Sequence, residues 1–300
     1  MPFIFKDISI SLGEIKERNE KLEKLYNWPK GQIVKKIGIK RRHIASTKQT
    51  TSLLAKKALS VISKRNDLSN VRFIIAVTNT PTKVFPSLAH EVGSLINTNK
   101  DFMCIGINSG CTGYVDAMCI ADKFLKKNED VLIVTADTYS KHIDLNDKSI
   151  KPIFSDGASC TLLKFKKNKS WKVDNNLFQT KKNTLKFLEF DKNKIRMNGP
   201  EVLSFAIGNV VNSMLKLLTR KKTLIFMHQA GKIVLDIIKS KIKSKVTIPL
   251  NYENNGNLVS TSIPLLIKEN FSLINKNQNI LISGFGVGLS QSHILLKKVK

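Results

Sequence analysis

The chain reads as an α/β protein with largely parallel sheets, and two patterns carry that reading. One unit recurs through the last third: a strand over 223–227, then His228 and a helix; a strand over 246–250, then Asn257 and a helix; a strand over 279–283, then a glycine loop. Strands alternating with helices build parallel sheets covered on both faces. The second pattern is positional. Residues capable of chemistry, Cys111, His228 and Asn257, fall just beyond the carboxyl ends of apolar strands, where ligands gather in such sheets.

Taken in order, the chain starts with a strand over 4–12 and a charged, exposed helix over 14–25. A basic hairpin or loop over 32–45 carries Lys35, Lys36, Lys40, Arg41 and Arg42, a solvated surface that can also attract an anionic ligand. An amphipathic helix over 51–62, a strand over 73–77 and a polar turn over 78–83 follow. Phe85-Pro86 opens a helix through Ile96, because proline suits a first helical turn, and the bond before it is a candidate cis peptide. Phe102, Met103, Cys104, Ile105 and Ile107 make a continuous apolar run, which predicts a strand covered on both faces. After the helix that starts near Cys111 come a strand over 131–135, a loop with Asp144 and Lys148, a turn over 155–158 and a strand over 159–163. Residues 164–193 are polar and weakly patterned, the place for a domain seam. A long amphipathic helix over 199–218 leads into the recurring units.

The stretch IGINSGCTGY, from Ile105 to Tyr114, is the one around which the rest is organised. An apolar strand runs into a glycine-flanked cysteine and straight on into a helix, with Val115, Met118, Ala121 and Leu125 on one side and Lys126 and Lys127 at its negative end. Cys111 therefore stands at a helix N-terminus, where unpaired N–H groups and the dipole favour an anion. Its thiolate is expected to form at lower pH than that of a free thiol. Gly110 and Gly113 permit a tight turn and a close approach of substrate. The competing reading is a buried structural cysteine. Cys104, Cys119 and Cys160, inside apolar runs, read as core, and His43, His90, His142 and His293 as structural or surface residues.

Composition sets bounds. Three hundred residues can bury a large core. The formal charge of +27 is carried by 43 lysines and only seven arginines, scattered and without interleaved aromatics, which points to an acidic partner or substrate and not to nucleic acid. The four cysteines form no CxxC pair and no metal-ligand spacing with the five histidines, so neither zinc nor a disulfide framework is indicated and a reducing compartment fits. The opening run MPFIFKDISIS breaks at Lys6 and Asp7, too early for a signal peptide, and no apolar stretch reaches 18 residues. A soluble cytoplasmic protein without membrane insertion is expected.

With those residues placed, the chain resembles the β-ketoacyl-acyl-carrier-protein synthase III family of the thiolase fold over nearly its whole length. The matching segments are IGIKRRHIA at 37–45, VFPS at 84–87, SGCTG around Cys111, IFSDGAS at 153–159, MNGPEV at 197–202, HQA at 228–230, GNLVSTSIP at 256–264 and GFGVG at 284–288. The resemblance implies two pseudo-duplicated βα halves, 1–165 with the nucleophile and 166–300 with His and Asn, packed as a layered α/β/α/β/α sandwich. It implies that Cys111 takes an acyl group from a thioester, a covalent step dividing one hard condensation into two easier ones. His228 and Asn257 then bind the thioester oxygen of malonyl-acyl carrier protein as carbon dioxide leaves. The peptide N–H of Cys111, with one from Gly286 or Val287, forms the oxyanion hole. Phe85 reaches across a homodimer interface to close the acyl pocket, Phe154 and Gly199 line the substrate site, and no cofactor or metal is needed beyond an acyl-coenzyme A or acyl-carrier thioester.

Four positions depart from the family pattern. Gln32 replaces a stacking tryptophan, Lys36 and Lys148 stand where arginines grip the nucleotide of coenzyme A, and Gly231 follows HQA in place of asparagine. Lysine lacks the bidentate fork of arginine, and glutamine offers less stacking surface than indole. Nucleotide recognition is weakened while basic residues, Lys232 among them, remain to dock an acidic carrier protein. The second reading is acyl transfer to an oxygen or nitrogen acceptor in a surface-sugar or secondary-metabolite pathway. Retention of Asn257, useful chiefly for the malonyl carbonyl, favours condensation.

Overall fold

The computed structural model describes residues 1–242 and 245–300. Strand β1 (Phe3–Leu12) buries Phe3, Phe5 and Ile8. An antiparallel hairpin of β2 (Ile15–Arg18) and β3 (Arg41–Ile44) then encloses helices α1 (Asn19–Leu25) and α2 (Gln32–Ile37). This corrects the exposed helix over 14–25, and in the hairpin or loop expected over 32–45 it places α2 and the second strand of a hairpin. Arg42 holds the hairpin: wholly buried, its guanidinium donates to Glu17 at 3.2 Å, Asn19 Oδ1 at 2.8 Å and the Pro152 carbonyl at 3.0 Å. A residue of the basic run is thus an interior tie, not a surface charge.

Helix α3 (Thr51–Arg65) is capped by the Thr50 hydroxyl, which accepts from the Leu53 N–H at 3.2 Å. Strand β4 (Val71–Val77) and helix α4 (Leu88–Gly93) follow. The Phe85-Pro86 bond is cis, but Pro86 precedes the N-cap Ser87 and does not open the helix. Strand β5 (Met103–Ile107) is the outermost of its sheet, with Met103 half-exposed, so the expectation that both its faces are covered fails. Beyond the turn at Gly110–Thr112 runs α5 (Gly113–Phe124), then β6 (Asp130–Asp137), β7 (Gly157–Phe165) and β8 (Ser170–Thr180). β8 lies in the stretch that reads as unpatterned. The hairpin β9 (Leu188–Asp191) and β10 (Lys194–Met197) leads to the expected long helix, which is interrupted by a π turn at Ala206–Val210 between α6 (Gly199–Phe205) and α7 (Val211–Leu217). Then come β11 (Thr223–Met227), α8 (Lys232–Lys241), a short β12 (Val246–Thr247), α9 (Tyr252–Asn255), α10 (Ser262–Glu269), α11 (Phe271–Ile274), β13 (Asn279–Gly286) and β14 (Ser290–Val299). The last strand is one that the recurring pattern did not include.

One ten-stranded sheet results, in the order β12-β11-β13-β14-β8-β1-β7-β6-β4-β5. Its halves repeat each other outward from the middle. β1-β7-β6-β4-β5 and β8-β14-β13-β11-β12 share one rule: the inner two junctions are antiparallel and the outer two parallel. The sheet is therefore mixed, not largely parallel. The halves meet through a single registered pair, Phe3 with Trp171. Between them lie α5 and α10, whose Tyr114, Met118, Ile263 and Leu266 share one apolar cluster with Val77 of β4 and Phe226 of β11. α3 and α4 cover the outer face of one half, and α7 and α8 that of the other. The layering is α/β/α/β/α. Among the described residues, no helix is long and apolar enough to cross a membrane.

Candidate active site

Cys111 occupies the turn between β5 and α5, and two glycines let the backbone close round it. A Cβ on Gly113 would stand 2.2 Å from Val77 Cγ1, so only glycine lets α5 start against β4. A Cβ on Gly286 would stand 2.9 Å from Cys111 Cβ and 3.0 Å from its Sγ. The Gly286 backbone therefore passes directly beside the sulfur. The thiol is 3 % exposed, and burial, followed by the charge of Asp137, pushes its pKa well above the ordinary value. This corrects the expectation of an easily formed thiolate: desolvation outweighs the helix N-terminus in the empty site. The resting nucleophile is a neutral thiol that needs a base or substrate contact to lose its proton.

His228 follows β11, anchored by its N–H to the Ser283 carbonyl at 2.9 Å, and its ring meets Phe285 edge-on at 5.5 Å. Burial pushes its pKa down to about 4, so the imidazole is neutral at physiological pH and able to accept a proton. Nδ1 makes no hydrogen bond of good geometry, although the Val259 backbone lies close enough to favour a proton on the ring. Asn257 is held from both sides: its N–H donates to the Ile153 carbonyl at 3.0 Å and its carbonyl accepts from the Ser155 N–H at 2.8 Å. The Val259 N–H, brought round by a backbone at φ 53, donates to Asn257 Oδ1 at 2.9 Å. A β-branched residue rarely adopts that conformation. Its result is an amide with Oδ1 engaged, leaving Nδ2 as the free donor.

These three side chains meet in one cavity of about 390 Å³, lined also by the buried Gly286 and Phe154 and by the exposed Lys36 and Lys232, which mark its solvent side. Gly199 lines it too. Three expected site residues lie elsewhere. Val287 borders a second cavity, Lys148 is exposed with Nζ 5.8 Å above the Tyr26 ring, and Phe85 is 84 % exposed away from the site of its own chain. Lys36 Nζ lies 4.6 Å above the Trp28 ring. The basic rim is thinner than the sequence implies: Arg42 is interior, Lys40 pairs with Glu253 at 2.6 Å and Lys232 pairs with Asp236. Among the described residues, no group of three His, Cys, Asp or Glu is placed to hold a metal ion.

Asp137, at the end of β6, is one of the residues that sequence reasoning missed. It is wholly buried, and its carboxylate accepts from the Asn79 N–H at 2.8 Å, the Ser260 hydroxyl at 3.0 Å and the Thr80 hydroxyl at 3.2 Å. Burial lifts its pKa to about 7 against the pull of those donors. An acid closing the apolar run VLIVTA was the available signal.

Two family models match the chain. The one described as 3-oxoacyl-[acyl-carrier-protein (ACP)] synthase III covers residues 105–181, which include Cys111. The one for the C-terminal part of that synthase covers 217–298, which include His228 and Asn257. The chain belongs to the 3-oxoacyl-acyl-carrier-protein synthase III family. Curated members of the family similar to it include the β-ketoacyl-acyl-carrier-protein synthase III of Streptococcus agalactiae, 29 % identical over 93 % of this chain and 94 % of the relative. That of Clostridium novyi is 28 % identical over 91 % of each. Among solved members, a 3-oxoacyl-(acyl-carrier-protein) synthase III superposes with a TM-score of 0.89 at 26 % identity, covering 99 % of this chain and 100 % of the other. The synthase III of Aquifex aeolicus gives 0.86 at 25 % identity over the same shares.

Proposed function

We propose that this protein is an acyltransferase of the β-ketoacyl-acyl-carrier-protein synthase III type, which condenses an acyl thioester with malonyl-acyl carrier protein and releases carbon dioxide. The observation that carries the reading is the meeting of Cys111, His228 and Asn257 in one cavity, with the Asn257 amide turned to donate. The Cys111 sulfur attacks the thioester carbonyl, its proton passes by way of the neutral His228 imidazole to the departing carrier sulfur as the carbon–sulfur bond breaks, and the carrier leaves as the thiol. In this reading the peptide N–H groups of Cys111 and Gly286 stabilise the oxygen that becomes negative in that step, and Gly286 passing directly beside the sulfur supports it. Malonyl thioester then enters the emptied arm. His228 and Asn257 Nδ2 donate to its carbonyl oxygen as the bond to the carboxylate breaks, carbon dioxide leaves, and the electron pair passes into an enolate. The enolate carbon attacks the acyl carbonyl, the carbon–sulfur bond breaks, and the Cys111 thiolate recovers a proton. Donors fixed towards developing charge in a dry site are typically worth roughly 3 to 4 kcal/mol each.

Other elements of the reading concern assembly. The topological repeat supports two halves meeting near residue 165, after β7. The unpaired edge of β5 beside exposed Val84 and Phe85 supports a homodimer in which Phe85 enters the partner's site. The four free thiols support a reducing, cytoplasmic setting. The test is condensation itself. Acyl thioester and malonyl-acyl carrier protein should yield a 3-oxoacyl carrier and one carbon dioxide, and Cys111→Ala should yield neither product nor acyl adduct by intact mass. An undiminished adduct in that variant would overturn the reading.

A further inference from the structure

A second cavity, of about 260 Å³, borders the site from the opposite side of the nucleophile turn. It is bounded by the polar Asn79, Asn108, Tyr139 and Glu189 and by the apolar Leu188, Phe190, Ile195 and Val287. Its adjacency to Cys111 rests on three contacts. A Cβ on Gly110, the residue before the nucleophile, would lie 2.6 Å from Asn79 Oδ1 and 2.8 Å from Val287 Cγ2. Leu188 lines both cavities. The Tyr139 ring packs on Phe154 of the first cavity, with ring centroids 5.0 Å apart. The two spaces differ in chemistry. The first is walled almost entirely by carbon, whereas the second presents a relay in which Tyr139 Oη donates to Asn79 Oδ1 at 2.9 Å and Asn79 Nδ2 donates to Asn108 Oδ1.

Resting on the acyl-Cys111 reading above, we infer that this second cavity receives the acyl group and selects a short acyl chain that carries a hydroxyl or amino substituent. The carrier arm needs the apolar passage whose mouth holds Lys36 and Lys232, so the acyl group lies beyond the sulfur. At about 30 Å³ for each water-sized group, the space holds at most roughly eight or nine heavy atoms, fewer once Phe85 of a second copy enters it, so the chain is one of a few carbons with one polar substituent. A plain alkyl chain would strip water from Asn108 and from the Tyr139–Asn79 pair and replace none of it, whereas a hydroxyl or amino group restores those bonds.

The experiment compares initial acylation of Cys111, read by intact mass, from butyryl, 3-hydroxybutyryl and 3-aminobutyryl thioesters on one carrier. At least one polar chain should react about tenfold faster than butyryl, roughly what one neutral hydrogen bond supplies. The two polar arms separate hydroxyl from amino selection. Tyr139→Phe, which keeps the ring, and Asn108→Leu should each shrink that ratio and speed butyryl transfer. Butyryl reacting as fast as both polar chains would refute the inference while leaving acyl-enzyme formation standing. Failure of every thioester to acylate Cys111 would sink both.

Discussion

Asp137 and Ser260 lie 123 positions apart, one closing β6 in the first half and the other in the turn before α10 in the second, and they share a 3.0 Å hydrogen bond. The same carboxylate holds the Asn79 backbone beside the nucleophile turn. It therefore fastens the loop that carries Asn257 to the loop that supports Cys111, and it lies near enough for its charge to raise the thiol.

Asp137→Asn should remove that charge while keeping the shape. Alkylation of Cys111 by iodoacetamide at about pH 8, slow in the parent because the thiol is buried and raised, should quicken severalfold, since a neutral neighbour no longer opposes the thiolate. A rate no faster than the parent's would show that the carboxylate does not act on the sulfur.

The same residue makes a stability prediction. Its folded pKa, about 7, lies above the unfolded value of 3.8, so the folded state binds the extra proton. The contribution is full below about pH 4 and is lost as pH rises through about 7. Between about pH 4.5 and 8 the parent should lose on the order of a few kcal/mol that Asp137→Asn does not lose. Parallel curves of stability against pH, from urea unfolding, would contradict this.

His228→Ala and Asn257→Ala should separate the two half-reactions. Asn257→Ala should still become acylated at Cys111, and His228→Ala more slowly for want of a base. Both should release carbon dioxide from malonyl-acyl carrier protein about a hundredfold to a thousandfold more slowly. Decarboxylation at the parent rate in either variant would remove that residue from the assigned role.

Gly286→Ala should act chiefly through its contact with the nucleophile. The added methyl meets Cys111 Cβ and Sγ at 2.9 and 3.0 Å. The acylation rate should fall at least tenfold with a Tm shift of only a few degrees. Gly113→Ala meets Val77 Cγ1 at 2.2 Å inside the core and should instead cost about 1 to 3 kcal/mol of stability. A stable Gly113→Ala protein would show that α5 can shift off β4.

Docking of the carrier offers a last test. Lys36 and Lys232 stand at the cavity mouth, so Lys232→Glu, which also repels Asp236, should slow acylation from an acyl carrier protein more than from the matching coenzyme A thioester. The gap should narrow as salt rises, because charges are screened over about 8 Å at physiological ionic strength. Equal slowing from both donors would place Lys232 in the passage and not on the docking face.

Cys111, His228 and Asn257 were legible because each falls beyond the end of an apolar run and inside a segment, SGCTG, HQA or GNLVSTSIP, that resembles the family. Asn79, Asn108, Tyr139 and Asp137 were not. They come from turns after three different strands, β4, β5 and β6, and only the register of the sheet brings them together. Arg42 was misread for the opposite reason. Inside a run of lysines a buried arginine looks like solvated charge until Glu17, Asn19 and Pro152 are seen to close round it. The β2–β3 hairpin was hidden because its strands are only four residues each and pair across 22 intervening residues. β8 escaped because most of its residues are exposed, so no apolar alternation survives in its sequence.

The outer edge of β5 carries a consequence for handling the protein. With Met103 half-exposed and Val84 and Phe85 nearby almost fully so, this strand offers unsatisfied peptide groups to any extended chain that approaches, beside apolar surface to hold it there. In the homodimer proposed above this edge is what a second copy would cover, so a substitution that prevents that pairing should leave the ladder open and give chains that precipitate or form mixed aggregates instead of persisting as a clean monomer.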